Sequence, residues 1–175
     1  MNIKHSSFTF ISLILLAFTA GCSVLFSSGN PTANNSERST ICNYDIPKGY
    51  TQQFSVSIAD MNVISLVGQE ESSHIYLVGL PDDVDIDLTN NSVGVLVGRK
   101  DNERQILQTI DKQTITIHNQ QVTLVISEGE NANNQRYREA TAVFQSNAGQ
   151  TLVNISSTLT NWDQEMVTKF LASLN

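Results

Sequence analysis

The chain has 175 residues, a hydrophobic content of 40% and a net charge of −7 at neutral pH. This length supports one domain with a single core, and the acidic balance argues against nucleic-acid binding and against polybasic attraction to anionic lipid headgroups. With only two cysteines and three histidines in the sequence, few side chains are left for redox or metal chemistry.

The first elements in chain order have the features of an export signal. Lys4 precedes an uncharged apolar run that is too short to span a bilayer, and small residues lead to Cys22. The segment Phe18-Thr19-Ala20-Gly21-Cys22 resembles the bacterial lipobox, with Thr19 where that family prefers leucine. The alternative is an ordinary secretory signal cut near Ala20.

The lipobox resemblance implies that residues 1–21 are a lipoprotein signal peptide and that Cys22 carries a diacylglyceryl thioether. In many bacteria a third acyl chain such as palmitate follows, and two or three chains would make release from the membrane slow. In Gram-negative lipoproteins a residue such as Ser23 implies transport to the outer membrane, facing the periplasm. Cys42 would then lack a disulfide partner within the chain, and we expect it to be half-buried at a domain edge.

The residues after the lipid site are small and polar, which predicts a flexible tether over residues 22–40. A single domain follows over residues 41–175. It opens at Tyr44–Tyr50, where Pro47 and Gly49 predict a turn between apolar anchors.

The first part of the domain has the alternation that is typical of strands. Phe54, Val56 and Ile58 alternate with polar residues. Further strands are predicted over Met61–Val67 and His74–Leu80, and the polar residues between them form a hairpin loop.

The middle of the domain is less regular. After Pro81, the run Asp82–Leu88 alternates carboxylates with apolar side chains, as a strand edge would. The valines of residues 93–97 suggest a strand, whereas Glu103–Ile110 could be a short helix, and the pattern leaves both open.

Two β-hairpins follow. The first has a loop of Asn119-Gln120, which would pair Ile117 with Val122 and place both on one face. The second pairs Tyr137–Gln145 with Thr151–Ser157.

The chain closes on an amphipathic helix, with Thr160 or Asn161 as its N-cap. Its apolar stripe is formed by Trp162, Met166, Val167, Phe170, Leu171 and Leu174. The polar face lacks the lysine and arginine richness of an interfacial helix, so we expect the stripe to pack on the sheet. Phe54, Trp162 and Phe170 are therefore predicted core residues.

The segments Tyr44–Tyr50, Gln121–Gly129 and Trp162–Val167, in this order around paired strands, resemble the PsbP, Mog1 and DcrB group of domains. The resemblance implies an α+β fold in which an antiparallel β-sheet built from hairpins is packed by helices. It also implies proteins that assist larger assemblies or the envelope, with no common catalytic motif to transfer.

The candidates for chemistry are few. His74 and His118 are the only histidines outside the signal, and Ser73 and His74 should point to opposite faces of a strand. The residues Asp83, Asp85 and Asp87 have the spacing that begins a calcium loop. Leu88 and Gly94 occupy the places of its glycine and its bidentate carboxylate, so we expect no metal site and no cofactor.

The sequence therefore predicts a non-catalytic lipoprotein of the cell envelope, anchored to the membrane through Cys22, that binds a protein or glycan partner. One alternative is a carrier or sensor of a small apolar ligand, with a cavity of about 300 Å³ or more between sheet and helix. The other is a hydrolase that uses His74 or His118.

Overall fold

A computed structural model of the chain describes residues 36–38, 41–58, 61–70, 72–81, 104–131 and 133–175. These residues all belong to one unit, residues 34–175. The predicted signal peptide, Cys22 and the aspartates of residues 82–88 lie outside the described residues.

The elements in chain order are β1 (Ser36–Arg38), β2 (Asn43–Asp45), β3 (Tyr50–Ile58), β4 (Met61–Gly68), β5 (His74–Gly79), β6 (Arg104–Ile117), β7 (Gln120–Asn131), β8 (Arg136–Ser146), β9 (Gly149–Thr158), a 3₁₀ turn (Leu159–Asn161) and α1 (Gln164–Ser173). Strands β3 to β9 form a seven-stranded sheet in the order β3-β4-β5-β9-β8-β7-β6. Every neighbouring pair is antiparallel. The fold is therefore α+β, with hairpins and a C-terminal helix, as predicted.

A separate two-stranded ladder joins β1 to β2, with Ser36 opposite Asp45 and Arg38 opposite Asn43. The strand β1 lies within residues 22–40 and β2 within the predicted domain.

The hairpin of β6 and β7 has the predicted strands in a different register. Its loop is His118–Asn119, and both residues have positive φ, 48° and 61°. Such a two-residue turn matches the twist of the flanking strands. The predicted Asn119–Gln120 loop is wrong, because Ile115 rather than Ile117 lies opposite Val122. A shift of two residues leaves each side chain on its predicted face.

The hairpin of β8 and β9 is confirmed, with Tyr137 opposite Thr158 and Gln145 opposite Gln150. Gly149, the first residue of β9 after the loop, has a φ of 119°, a conformation that favours glycine. Ser146 Oγ, at the same end, donates to the Ile41 carbonyl oxygen at 2.6 Å. This buried bond joins the start of the domain to the hairpin.

The helix that the sequence left possible over Glu103–Ile110 does not form in the described part of that segment. Residues from Arg104 onward form β6, which pairs with β7. Pairing with the neighbouring strand satisfies the backbone of this segment, and tertiary context of this kind overrides local helix propensity.

A β-bulge in β3 changes the environment of Phe54. The register shifts between Gln52 and Phe54, so that Phe54 lies opposite Ser65 instead of Ile64. An added residue in one strand moves all later side chains to the opposite face. Phe54 is 37% exposed, and its prediction as a core residue is wrong.

The helix α1 begins two or three residues later than the predicted caps require. Asp163 is the N-cap, and its Oδ1 accepts from the Met166 backbone N at 3.0 Å. Thr160 and Asn161 belong to the preceding 3₁₀ turn, so both predicted caps are wrong. Among the described residues no helix is long and apolar enough to cross a membrane.

The predicted packing of the helix against the sheet is confirmed. The residues Val167, Phe170, Leu171 and Leu174 are at most 4% exposed and belong to one apolar cluster with the sheet. Trp162 and Met166 are only partly buried at its border. The sheet contributes Ile64, Leu66, Ile75, Leu77, Leu124, Ile126, Ala140, Ala142, Phe144, Val153 and Ile155.

Candidate functional site

The first candidates for chemistry are the adjacent residues Ser73 and His74. Ser73 Oγ lies 3.0 Å from Ser157 Oγ in a buried hydroxyl contact. The His74 ring stacks on Tyr76, with ring centroids 5.9 Å apart and planes at 19°. Each side chain thus engages a different neighbour. His118 lies in the β6–β7 loop.

Metal and thiol chemistry find little support in the described residues. Within them, no group of three His, Cys, Asp or Glu side chains is placed to hold a metal ion. Cys42 is buried at 4% exposure rather than half-buried, and burial raises the pKa of its thiol to about 12. A thiol in such surroundings is a poor nucleophile because it stays protonated.

The sheet face opposite α1 carries a buried polar network that sequence reasoning missed. Asn154 on β9 donates from Nδ2 to Thr141 Oγ1 at 2.9 Å and to Glu139 Oε2 at 3.2 Å. Cross-strand register places Tyr76 beside Asn154 and Ser156 beside Glu139.

The members of this network are inaccessible. Glu139, Thr141, Asn154 and Ser156 are each at most 5% exposed. Satisfied polar pairs inside a sheet help to fix its register. We therefore assign this network to the fold and not to a binding surface.

An open groove lies between the segment after β2 and the helix α1. Its volume is about 420 Å³. The lining residues are Asp45, Ile46, Pro47, Lys48, Asp163, Glu165, Met166, Lys169, Phe170 and Ser173.

Backbone contacts hold the two walls of the groove together. The Asp45 backbone N donates to Ser173 Oγ at 3.3 Å. Asn43 and Asn175 exchange two backbone hydrogen bonds, at 2.8 and 3.1 Å. These bonds fix the strand β2 beside the last turn of α1.

A turn shapes the other end of the groove, as the sequence predicted. The Tyr50 backbone N donates to the Pro47 carbonyl oxygen at 3.0 Å, and Gly49 has a φ of 86°. Glycine meets the positive φ that this turn requires. The turn leaves Lys48 exposed at the groove.

The groove combines charges of both signs with apolar side chains. Lys169 Nζ lies 2.6 Å from Glu165 Oε1, and both side chains are exposed. The hydrogen bond that Lys169 donates to Glu165 is the main cause that raises the pKa of Lys169. Lys48 and Asp45 add further exposed charges.

This composition does not suit the predicted carrier of an apolar ligand. Such a ligand needs an apolar cavity between sheet and helix. In the described residues that interface is packed, with Val167 at 0% and Leu174 at 1% exposure. The groove at the helix edge has a charged lining instead.

Comparison with known proteins gives a match among solved structures. No protein-family model matches the chain, and no curated protein matches it. Among solved structures, the chain is similar to cyanobacterial PsbP (CyanoP) from Synechocystis sp. PCC 6803, a solution structure, with a TM-score of 0.53 at 14% identity. The match covers 86% of this chain and 98% of that chain. The domain has a PsbP-like fold. At this identity the likeness concerns the fold alone.

A second surface cluster of the PsbP-like domain lies beside the start of α1. Glu128 on β7 accepts hydrogen bonds from Arg138 and from Arg136 Nη2, the latter at 2.8 Å. The Arg138 guanidinium lies 5.5 Å from the Trp162 ring centroid. The hydrogen bond from Arg138 is the main cause that lowers the pKa of Glu128. The cluster joins Trp162 to the sheet.

The groove of the PsbP-like domain combines residues that are distant in the sequence, around 45–48 and 163–173. The sequence indicated the turn and the helix separately but gave no sign that they lie side by side. The one useful signal was the segment Tyr44–Tyr50, which carries part of the resemblance to the PsbP group.

Proposed function

We propose that this chain is a lipid-anchored accessory protein of the bacterial cell envelope, and that its PsbP-like domain binds a protein partner without catalysing a reaction. The groove between residues 45–48 and α1 is the observation that carries the proposal. Its exposed ion pair, its additional charges and its aliphatic side chains are suited to a protein surface. The aromatic ring in its lining, Phe170, is 2% exposed and offers a glycan no open face.

The anchoring part of the proposal rests on the lipobox resemblance at Cys22. If the source is Gram-negative, Ser23 favours the outer membrane, with the domain facing the periplasm. An acidic domain gains nothing from anionic headgroups, so the acyl chains supply the attachment.

The non-catalytic part rests on the side chains that could do chemistry. Ser73 and His74 engage different neighbours, and Cys42 is a buried, protonated thiol. The PsbP-like fold is consistent with an accessory role.

The test is cross-linking in intact cells followed by membrane fractionation and mass spectrometry. We expect the wild type to capture one envelope protein and the Cys22→Ala variant to lose this capture. The Cys22→Ala variant should also be absent from the membrane fraction. Lys48→Glu in the groove should reduce capture, whereas Lys112→Glu, an exposed cation on β6, is the matched control. Equal capture by wild type and Lys48→Glu would count against the groove, and no capture at all would count against the accessory role.

A further inference from the structure

The two outer strands of the described sheet, β3 and β6, differ in how they are protected from pairing. The strand β6 has two register irregularities, between Gln105 and Gln108 and between Thr109 and Asp111. Asp111 and Lys112 add exposed charges to it. Bulges and charges are the usual devices that stop an edge strand from adding another strand.

The strand β3 is less protected from pairing with another strand. No charged residue occurs from Gly49 to Ile58, although the chain as a whole carries a net charge of −7. Its bulge lies in the N-terminal half of the strand, between Gln52 and Phe54, and the pairing with β4 is regular from Phe54 to Ile58. An uncharged, regular edge is a template for strand pairing.

The side chains from Phe54 to Ser57 reach solvent on both faces of the strand. Phe54 is 37% exposed, and Ser55 and Ser57 are exposed. Val56 is partly buried on the same face as Phe54. An added strand would therefore meet an apolar row on one face and hydroxyl groups on the other.

We propose that the outer edge of β3, from Phe54 to Ile58, binds an extended, uncharged segment of a protein partner by strand addition. The inference rests on the proposed function, because it assumes that the domain works by binding protein. Backbone hydrogen bonds would supply affinity, and Phe54 and Val56 would select apolar side chains at alternate positions of the segment.

The size of the edge favours a peptide segment over a second copy of the chain. At about 3.3 Å per residue, the regular part from Phe54 to Ile58 is about 16 Å long. A stable dimer buries about 1,200–2,000 Å², which is more than so short a ladder provides. The absence of charge gives no attraction for an acidic or a basic tail, so an uncharged segment fits best.

The experiment places a photo-cross-linking phenylalanine analogue at Phe54, Ser55 or Val56 of the full-length chain in intact cells. Cross-linked partner residues are then mapped by mass spectrometry. Strand addition predicts that moving the probe one residue along β3 moves the cross-linked partner residue by one, in a constant direction.

A charge at the edge should prevent the pairing. We expect Ser55→Lys to lower the cross-linking yield about tenfold. Thr114→Lys, which changes an exposed residue of the other outer strand, should leave the yield unchanged. If Ser55→Lys lowers the denaturation midpoint, Ser57→Lys, at the next exposed serine on the same face of β3, replaces it as the test variant, with an expected loss of several-fold.

Several results would overturn the inference. These are no capture, capture of a second copy of this chain, or partner residues without a regular step. An unchanged yield with both edge variants, together with a loss of capture in Lys48→Glu, would refute strand addition and leave the groove as the binding site. If Lys48→Glu has no effect and the regular step is found, the edge is supported and the groove is not.

Discussion

Replacing Phe170 with alanine should lower the free energy of unfolding by about 3–5 kcal/mol. The ring is 2% exposed. An aromatic side chain buries about 150–250 Å², and at about 25 cal/mol per Å² this corresponds to about 4–6 kcal/mol of transfer free energy. Partial collapse of the cavity recovers some of this loss. The edge-to-face contact with Tyr44, at 6.4 Å between centroids, would be lost as well.

The matched control for this prediction is Phe54→Ala. The sequence pattern treats the two phenylalanines alike, but Phe54 is 37% exposed beyond the bulge. We expect a loss of about 1 kcal/mol there. Urea unfolding with a shared m-value compares the two variants. Losses that agree within about 0.5 kcal/mol would refute the register that the bulge imposes on β3.

Three further predictions test local features. Asp163→Ala should cost about 1 kcal/mol in urea unfolding because the N-cap bond to Met166 is lost, and Asp163→Asn should retain most of it; equal losses would argue against capping. Folding lowers the pKa of Glu128, chiefly through the hydrogen bond from Arg138. The ionised Glu128 side chain therefore stabilises the folded state above its unfolded-state pKa of about 4.3, and this contribution is lost as pH falls through the folded-state pKa. Between about pH 7 and pH 3, wild type should therefore lose more stability than Glu128→Gln, and parallel curves would contradict this. In a Cys22→Ala background, Cys42 should react with a maleimide much more slowly in the folded chain than in urea, because the thiol is buried and its pKa is about 12; similar rates would mean that the site opens readily.

Periodicity was sufficient to predict most of the fold. The alternation over Gln121–Leu124, where Val122 and Leu124 are buried, and the apolar stripe of α1 each reflect burial on one face, and burial is what side-chain pattern reports. The register error at His118–Asn119 did not affect these faces, because a shift of two residues preserves the alternation.

The wrong predictions for β3 and for the start of α1 concern positions where a single residue decides the register or the N-cap. A single added residue before Phe54 reversed the face of the rest of β3, and nothing in the composition of this segment marks the bulge. Similarly, Thr160, Asn161 and Asp163 are all good N-cap residues, so local chemistry alone could not choose among them.

The candidate site could not be predicted because it depends on tertiary contacts. Lys48 and Lys169 line one groove only because β2 pairs with the end of the chain, through Asn43 and Asn175. Polar side chains in a loop and on the outer face of a helix are ordinary on any protein surface. Their meeting follows from packing and has no local sequence signal.

Burial distinguishes the polar residues that could contact a partner from those that support the fold. Glu139 and Asn154 have polar side chains, but they are at most 3% exposed and bonded to each other inside the sheet. The charged groove and the edge of β3 are two described features that reach solvent. Both are suited to contact with another chain, since one offers charges and aliphatic groups and the other is an outer strand of the described sheet. If both surfaces bind one partner, a variant in either should weaken capture, and the double variant Lys48→Glu with Ser55→Lys should weaken it by more than either change alone.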